Sequence, residues 1–404
     1  MGSHSHAHRV DDISIRRLPR VALLAVLALA AMATVVGLWT LWPHSSDAPH
    51  IPSSAAFAAP GVTFPHATVT RVQPACPSKS TPTSVTTCGH IAAALGSTSA
   101  GQVTVDVPAE VARSGLRAGD RVELIRTPPS HGQPASYTYF ETDRHVSLFW
   151  LAALFAALVV GVARLRGFFA LVALAFSAVM ITQFMLPALL AGESGVWIAL
   201  VGSSAIMFVV LYLTHGPSLR TSTALAGTLA GISVTTGIGL YAVHASRLTG
   251  VPDETGGILS GFVNHLSFPD LLTCGLIIAG LGVLNDVTIT QASAVWELRS
   301  AAPDLSRRGV FASAMRIGRD HIASTIYTIA FAYAGASIIV LLLLAIYDLP
   351  ALDLLSNEAI AEEVVRTLAS GIGLVLAVPI TTAIAAVVAA PAGSAAGQSL
   401  RRRT

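Results

Sequence analysis

The sequence predicts an α-helical integral membrane bundle of about eight transmembrane helices, with a small β-rich extracytoplasmic domain between helices 1 and 2. Composition is the first reason, because 53% of the 404 residues are hydrophobic and only 11% are charged. Soluble domains carry a charged share of about 25%. The second reason is a mean hydropathy of +0.67, and the third is a series of apolar segments long enough to cross a bilayer. Lipid is therefore the expected solvent for most of this fold.

The apolar segments approach the roughly 20 residues that a helix needs to span hydrocarbon. They are 21–42, 146–162, 167–189, 196–213, 221–243, 271–293, 322–346 and 367–390. This pattern divides the chain into a tail (1–20), a first helix (21–42), an outer segment (43–144), a seven-helix membrane domain (145–390) and a second tail (391–404). The first apolar run is longer than the core of a usual signal peptide, so a retained anchor is favoured over a cleaved signal.

The arginines predict the orientation. With the N-terminus in the cytoplasm, most of them fall in the inner loops and the two tails, and the short outer loops hold only Arg247 and Arg366. This distribution follows the positive-inside rule, so both termini are predicted to be cytoplasmic and 43–144 extracytoplasmic. The basic residues are explained by topology, and the net charge of +2 gives no indication of nucleic acid binding.

The outer segment 43–144 has a different composition from the rest of the chain. Its first part is rich in Pro, Ser and Thr and reads as a linker, whereas apolar and polar residues alternate around Val105 and Val122, with a turn at Gly119-Asp120. Alternation predicts strands, and a small barrel is one form that they could take. Cys76 and Cys88 lie in this oxidising compartment. They could form a disulfide with each other or remain two unpaired thiols, and the sequence allows both alternatives.

Asp286 lies inside an apolar segment, where an ionised carboxylate costs several kcal/mol unless it faces a protein interior, a partner or water. On a helix, Asp286, Thr290 and Ser293 share one face. Oxygen ligands in such a stripe suit a hydrated cation, a proton relay or a polar substrate, but they could equally bond to neighbouring helices. The predicted pathway residues are Asp286, Asn285, Thr288, Thr290, Gln291 and Ser293, together with Thr235 and Thr236 of the fifth span.

A polar vestibule is predicted on the cytoplasmic side, leading to Asp286. Topology alone explains its arginines, whereas the dipeptide Asp320-His321 stands out because histidine titrates near neutral pH and can relay protons. The predicted vestibule residues are His215, Arg220, Glu297, Arg316, Arg319, Asp320 and His321.

Several motifs resemble the YibE/F family of bacterial multi-pass membrane proteins. They are MLP at 185–187, LYLTHG at 211–216 followed by Arg220-Thr221, GLGVLNDVTITQASAVWEL from Gly280, MRIGRDHIAST from Met315 and FAYAGAS from Phe331. The resemblance extends over about 102–390, including the β-rich segment. Asn285 stands where relatives often carry a second Asp, and Tyr327 where they often carry Asn. The resemblance implies a protein of the bacterial cytoplasmic membrane with a loose association with export.

These features predict a secondary transporter, with export as the favoured direction, that moves a small polar or ionic solute and uses Asp286 for binding or coupling. A membrane-anchored accessory or scaffold protein whose outer domain binds an envelope component, and a passive channel, are the alternatives. No enzymatic motif occurs, so no catalytic residue, no metal and no enzyme activity are predicted, and the cofactor is unknown. The predicted partners are the lipid bilayer and the solute. A second copy of the chain and an envelope partner are further possible partners.

Overall fold

The computed structural model describes residues 17–43, 61–73, 89–96, 101–129, 134–251, 257, 266–346, 350, 353 and 355–389. Cys76 and Cys88 lie outside these residues. The chain divides into two compact units, one comprising 1–49 and 160–404 and the other 50–159. Each unit has its own core, and the two are described separately.

The smaller unit contains one antiparallel sheet that curves into a half-barrel. Its strands are β1 (His66–Val72), β2 (His90–Leu95), β3 (Gln102–Asp106), β4 (Arg121–Thr127) and β5 (Ser136–Thr142), in the order β3-β2-β1-β4-β5. As the alternating pattern predicts, alternate side chains are buried in β1, β2 and β4, among them Val69, Ile91 and Leu124. Gly119 makes the predicted turn before β4 with a φ of 100°. The sequence did not predict the short helix α2 (Ala109–Arg113) between β3 and β4.

The larger unit is helical. Its elements are α1 (Arg17–Thr40), α3 (His145–Met180), a π-helical turn (Ile181–Met185), α4 (Leu186–Leu190), α5 (Gly195–His215), α6 (Leu219–Ala245), α7 (Phe268–Ala301), α8 (Arg307–Ala336), α9 (Ile338–Ile346) and α10 (Glu358–Val388), although α3 begins in the smaller unit. Side-chain caps mark several starts. Ser218, Ser267, Ser306 and Asn357 each accept a hydrogen bond from a backbone N–H in the first turn of the helix that follows.

Helices α6, α7 and α10 form the centre of the larger unit, since their mutual contacts are the most extensive in the molecule. Leu225, Leu284 and Leu374 are among the fully buried side chains there. Glycines allow close approach: a Cβ added at Gly227 would lie 2.0 Å from Thr381 Oγ1, and one at Gly373 would lie 1.9 Å from Thr235 Oγ1. Around this centre, α5 packs on α6 and α7, α1 on α5 and α6, and α8 on α7 and α10.

Six helices of the described residues are long and apolar enough to cross a membrane, or seven if the bent pair α8 and α9 counts as one span. The sequence predicts eight, and when the bent pair is counted as one span the remaining difference arises at 146–189. There the two predicted spans form one helical run of 46 residues, His145–Leu190. Within it the backbone leaves the helical conformation at Arg164, with φ 55° and ψ −134°.

Apolar side chains cover the outside of the helical unit. Leu165 and Leu174 of α3, Phe331 of α8 and Ile339 of α9 are all more than half exposed. Exposed apolar surface on this scale is unfavourable in water and suited to lipid, so the surface agrees with a membrane protein.

Candidate functional site

Asp286 lies near the middle of α7, a helix of 34 residues that begins at the cap formed by Ser267. One side of α7 packs against α6 and α10, and Asp286 projects from the other side, with its side chain 67% exposed. Thr290 is exposed on the same side and Ser293 is half-buried. The predicted polar stripe therefore lies at the outer surface of the central helices, whereas its flanking residues Thr288 and Gln291 are buried.

The partner of Asp286 is His321. Asp286 Oδ2 lies 3.6 Å from His321 Nε2, which is close enough for an ion pair but too long for a direct hydrogen bond. The antiparallel packing of α7 and α8 sets this register, because Gln291, further along α7, donates from Nε2 to the carbonyl oxygen of Ala314 at 2.9 Å. His321 is 28% exposed, so the pair lies at the edge of the bundle.

Two of the predicted pathway residues hold helices together. Thr288 Oγ1 and Thr228 Oγ1 share a hydrogen bond of 2.6 Å between α7 and α6, and both side chains are buried. Gln291 joins α7 to α8 through the bond to Ala314. Such bonds between buried polar groups stabilise helix packing in lipid. For Thr288 and Gln291, the structure therefore favours the packing interpretation over the pathway one.

Two other predicted residues retain unused bonding capacity. Asn285 Oδ1 and Thr235 Oγ1 are both buried without a hydrogen-bond partner. Thr236, in contrast, donates to the carbonyl oxygen of Ile232 at 2.8 Å, as a helical threonine commonly does. The buried polar atoms of Asn285 and Thr235 thus remain free to bind water, an ion or a solute.

The predicted vestibule residues lie at several places. Arg319 and Asp320 are exposed beside His321 on α8, and Arg316 donates to Ser313 Oγ at 2.9 Å one turn earlier. His215 ends α5, where its Nδ1 lies 2.7 Å from Thr214 Oγ1, while Arg220 lies in the first turn of α6 and Glu297 is exposed near the end of α7. Within the described residues, no hydrogen bond or ion pair joins His215, Arg220 or Glu297 to the Asp286–His321 pair.

The described residues contain no group of three or more His, Cys, Asp or Glu side chains that could hold a metal ion. A family model, described as YibE/F-like protein, matches residues 151–391, which is more than half of the chain. The chain belongs to the YibE/F-like family. The match includes every helix from α4 to α10 and thus the Asp286–His321 pair, but it starts after the β-sheet, to which the resemblance was expected to extend. No curated protein and no solved structure matches the chain.

In this YibE/F-like protein, Arg299 is one of the inner-loop arginines that the positive-inside pattern explains by topology alone. The structure buries it to 2% exposure at the end of α7. Its Nη1 donates to the carbonyl oxygens of Pro303 at 3.1 Å and Leu305 at 2.6 Å, so the side chain fastens the turn between α7 and α8. That turn joins the two helices that carry Asp286 and His321.

We expect Arg299→Met to lower the free energy of unfolding by about 2 kcal/mol, because it keeps an apolar stem but removes two charge-assisted hydrogen bonds. Thermal unfolding of the purified full-length YibE/F-like protein in detergent measures the change. Arg308→Met is the matched control, since Arg308 is exposed at the start of α8. Equal melting temperatures for the two variants would contradict the role given to Arg299.

A second group that sequence reasoning missed in this YibE/F-like protein lies at the start of α10. Glu363 and Arg366 form an ion pair there, and Tyr333 of α8 lies beside Ser370. The predicted span began at residue 367, so Glu363 and Arg366 were counted as loop residues. The signal was present in Asn357-Glu358, which is a helix cap followed by an acid in the first turn.

Proposed function

We propose that this protein is a secondary transporter of the bacterial cytoplasmic membrane that moves a small polar or ionic solute and is coupled to an ion gradient at the Asp286–His321 pair. One observation carries the proposal. Asp286 lies in the interior of an apolar helix of membrane length, 3.6 Å from His321 and with no direct hydrogen bond between them. Paired ionisable groups at such depth are typical of proton relays and ion pathways.

The proposed topology has eight crossings. A helical run of 46 residues would measure about 69 Å, more than twice the roughly 30 Å of hydrocarbon, so the break at Arg164 is proposed to divide it into two spans. The bent pair α8 and α9, whose bend is 63°, is proposed to form one further span. Both termini are then cytoplasmic, residues 43–144 are extracytoplasmic, and the arginines follow the positive-inside rule.

In this topology α7 runs from the outer face inward, and Asp286 lies about 27 Å along it from Phe268. It is therefore reached from the cytoplasm past Arg316, Arg319 and Asp320. An imidazole beside a carboxylate can exchange a proton with it, so a change of protonation at the pair could alternate with solute binding. The family's association with export favours outward movement of the solute.

The experiment that tests the proposal is flux in proteoliposomes containing the full-length chain, with internal pH followed by a trapped dye. Ions and small polar metabolites are screened with the wild type, Asp286→Asn and Asp270→Asn. The last is the matched control, because Asp270 lies in the first turn of the same helix. We expect saturable flux that moves protons or another ion, disappears in Asp286→Asn and persists in Asp270→Asn.

Three other results would each contradict the proposal. Wild-type rates in a correctly inserted Asp286→Asn protein would exclude a coupling role. Flux that neither saturates nor responds to a second gradient would indicate a channel. Absence of flux with folded, correctly oriented protein would indicate an accessory or scaffold protein, and attention would then turn to what the β-sheet unit binds.

A further inference from the structure

A cavity of about 350 Å³ lies between α10 and the bend that joins α8 to α9. Tyr333, Ser337 and Leu341 line it from the bend, and Glu363 and Thr367 line it from α10. In the proposed topology this cavity is near the extracytoplasmic face. Its walls are mostly apolar, and Glu363 is the acidic residue among those that line it.

Only one of the two carboxylate oxygens of Glu363 has a polar partner. Its Oε1 lies 3.3 Å from Arg366 Nη1, while its Oε2 is buried and has no hydrogen-bond partner. Arg366 Nε is likewise buried without a partner. A carboxylate oxygen removed from water without compensation is costly, and a proton or a bound cation relieves that cost. Glu363 is therefore suited to take up a cation from the cavity.

Polar groups continue inward from this cavity. Tyr333 lies beside Ser370, which is on the same face of α10 as Glu363, two turns further along, and is 3% exposed. Ser370 faces α7 at Gly280, where a Cβ added to the glycine would lie 3.5 Å from Ser370 Oγ. The hydroxyl of Ser370 is thus placed where α7, α8 and α10 meet.

Thr235 of α6 lies at the same depth along the bundle as Ser370. Its side chain is 1% exposed and packs against Gly373 and Gly280. The buried threonines Thr228, Thr236, Thr381 and Thr382 each donate back to the carbonyl four residues earlier, but Thr235 Oγ1 has no partner. A helical threonine that leaves this local bond unused keeps its hydroxyl available for another donor or acceptor.

From Gly280, Asn285 lies about 8 Å further along α7, and its buried Oδ1 also has no partner. Asp286 is the next residue along α7, exposed on the outer surface of the central helices, and His321 lies beside it. Ser370 and Thr235 are buried, whereas Glu363, Tyr333 and Asn285 are partly buried. Together these groups form a series of polar side chains that leads from Glu363 to the Asp286–His321 pair.

We infer that the cavity at Glu363 is the extracytoplasmic entrance for the driving cation, a proton or a small monovalent cation, and that Tyr333, Ser370 and Thr235 line its route to Asp286. This inference rests on the proposed transport function and adds the path of the coupling ion. The cation enters at Glu363, moves inward to Asp286 and leaves to the cytoplasm past His321. No covalent bond changes in this step.

The test compares Glu363→Gln with Glu193→Gln in the proteoliposome assay. Glu193 is an exposed acid between α4 and α5, also on the proposed outer side, and it does not line the cavity. We expect Glu363→Gln to lower coupled flux about tenfold or more and to raise the concentration of driving cation needed for half-maximal rate, while Glu193→Gln behaves as the wild type. Separate proton and sodium gradients distinguish the two cations.

A second measurement does not depend on flux. A Ser337→Cys protein, with the native cysteines replaced, is treated with a membrane-impermeant thiol reagent from the outer side. We expect labelling that slows when the driving cation is raised and that no longer responds to the cation in Glu363→Gln. In the flux assay, Thr235→Val should slow transport and Thr235→Ser should restore it.

The outcomes separate this inference from the proposed function. Coupled flux that is lost in Asp286→Asn but unchanged in Glu363→Gln would overturn the entrance while leaving the transporter intact. Labelling of Ser337→Cys that is insensitive to both cations would also overturn it. A wild type without coupled flux would overturn the proposed function and this inference together.

Discussion

Asp286→Asn and His321→Gln will each lower coupled flux by about a hundredfold or more, and the double variant will be no slower than the more affected single variant. The reason is the 3.6 Å separation of the two side chains. If a proton passes between them, the loss of either side chain stops the same transfer step. The loss of the second side chain then causes no further decrease in flux. Flux under a pH gradient in proteoliposomes measures all three variants against the wild type.

His244→Gln is the matched control for the imidazole, because His244 is exposed in the last turn of α6 and makes the same chemical change away from the pair. It should transport at the wild-type rate. If the losses from Asp286→Asn and His321→Gln instead multiply in the double variant, the two residues act at separate steps, and the pair cannot be the coupling unit.

The sequence could predict Asp286 but not its geometry. A carboxylate inside an apolar segment can be recognised from the sequence alone, and it is notable because the free energy of placing the charged group in lipid is large. Its pairing with His321 depends on the antiparallel register of α7 and α8, which is set by contacts distant in sequence, such as Gln291 with Ala314. Which side of α7 faces the centre depends likewise on packing against α6 and α10. Helical periodicity therefore predicted that Asp286, Thr290 and Ser293 share one face, but not whether that face points to the core or to the outside.

The helical class followed from hydropathy, whereas the exact ends of the helices did not. Arg164 lies between the predicted spans 146–162 and 167–189, but α3 contains no proline, so the sequence did not show whether the chain makes a kink or a short loop there. At α10 the acids of the first turns lowered the hydropathy, and the predicted span began nine residues after the observed start at Glu358. That error concealed Glu363 and the cavity beside it.

Gly373→Ala is expected to lower the free energy of unfolding by about 3 kcal/mol, the upper range for overpacking a close helix contact. A Cβ at this position would lie 1.9 Å from Thr235 Oγ1 and 3.1 Å from Thr235 Cβ. The new methyl group must therefore separate α6 from α10 or drive Thr235 from its rotamer. Thermal unfolding of the full chain in detergent should show a fall in the melting temperature on the order of 5 to 10 °C.

Gly371→Ala is the control on the same helix, because nothing lies within 4 Å of a Cβ added there, and alanine favours a helix over glycine. It should melt at or above the wild-type temperature. Thr235→Ala removes the atom at 1.9 Å, so the double variant with Gly373→Ala should recover most of the lost stability. If Thr235→Ala gives no recovery, the loss has another origin, and the contact between Thr235 and Gly373 does not set the spacing of the central helices.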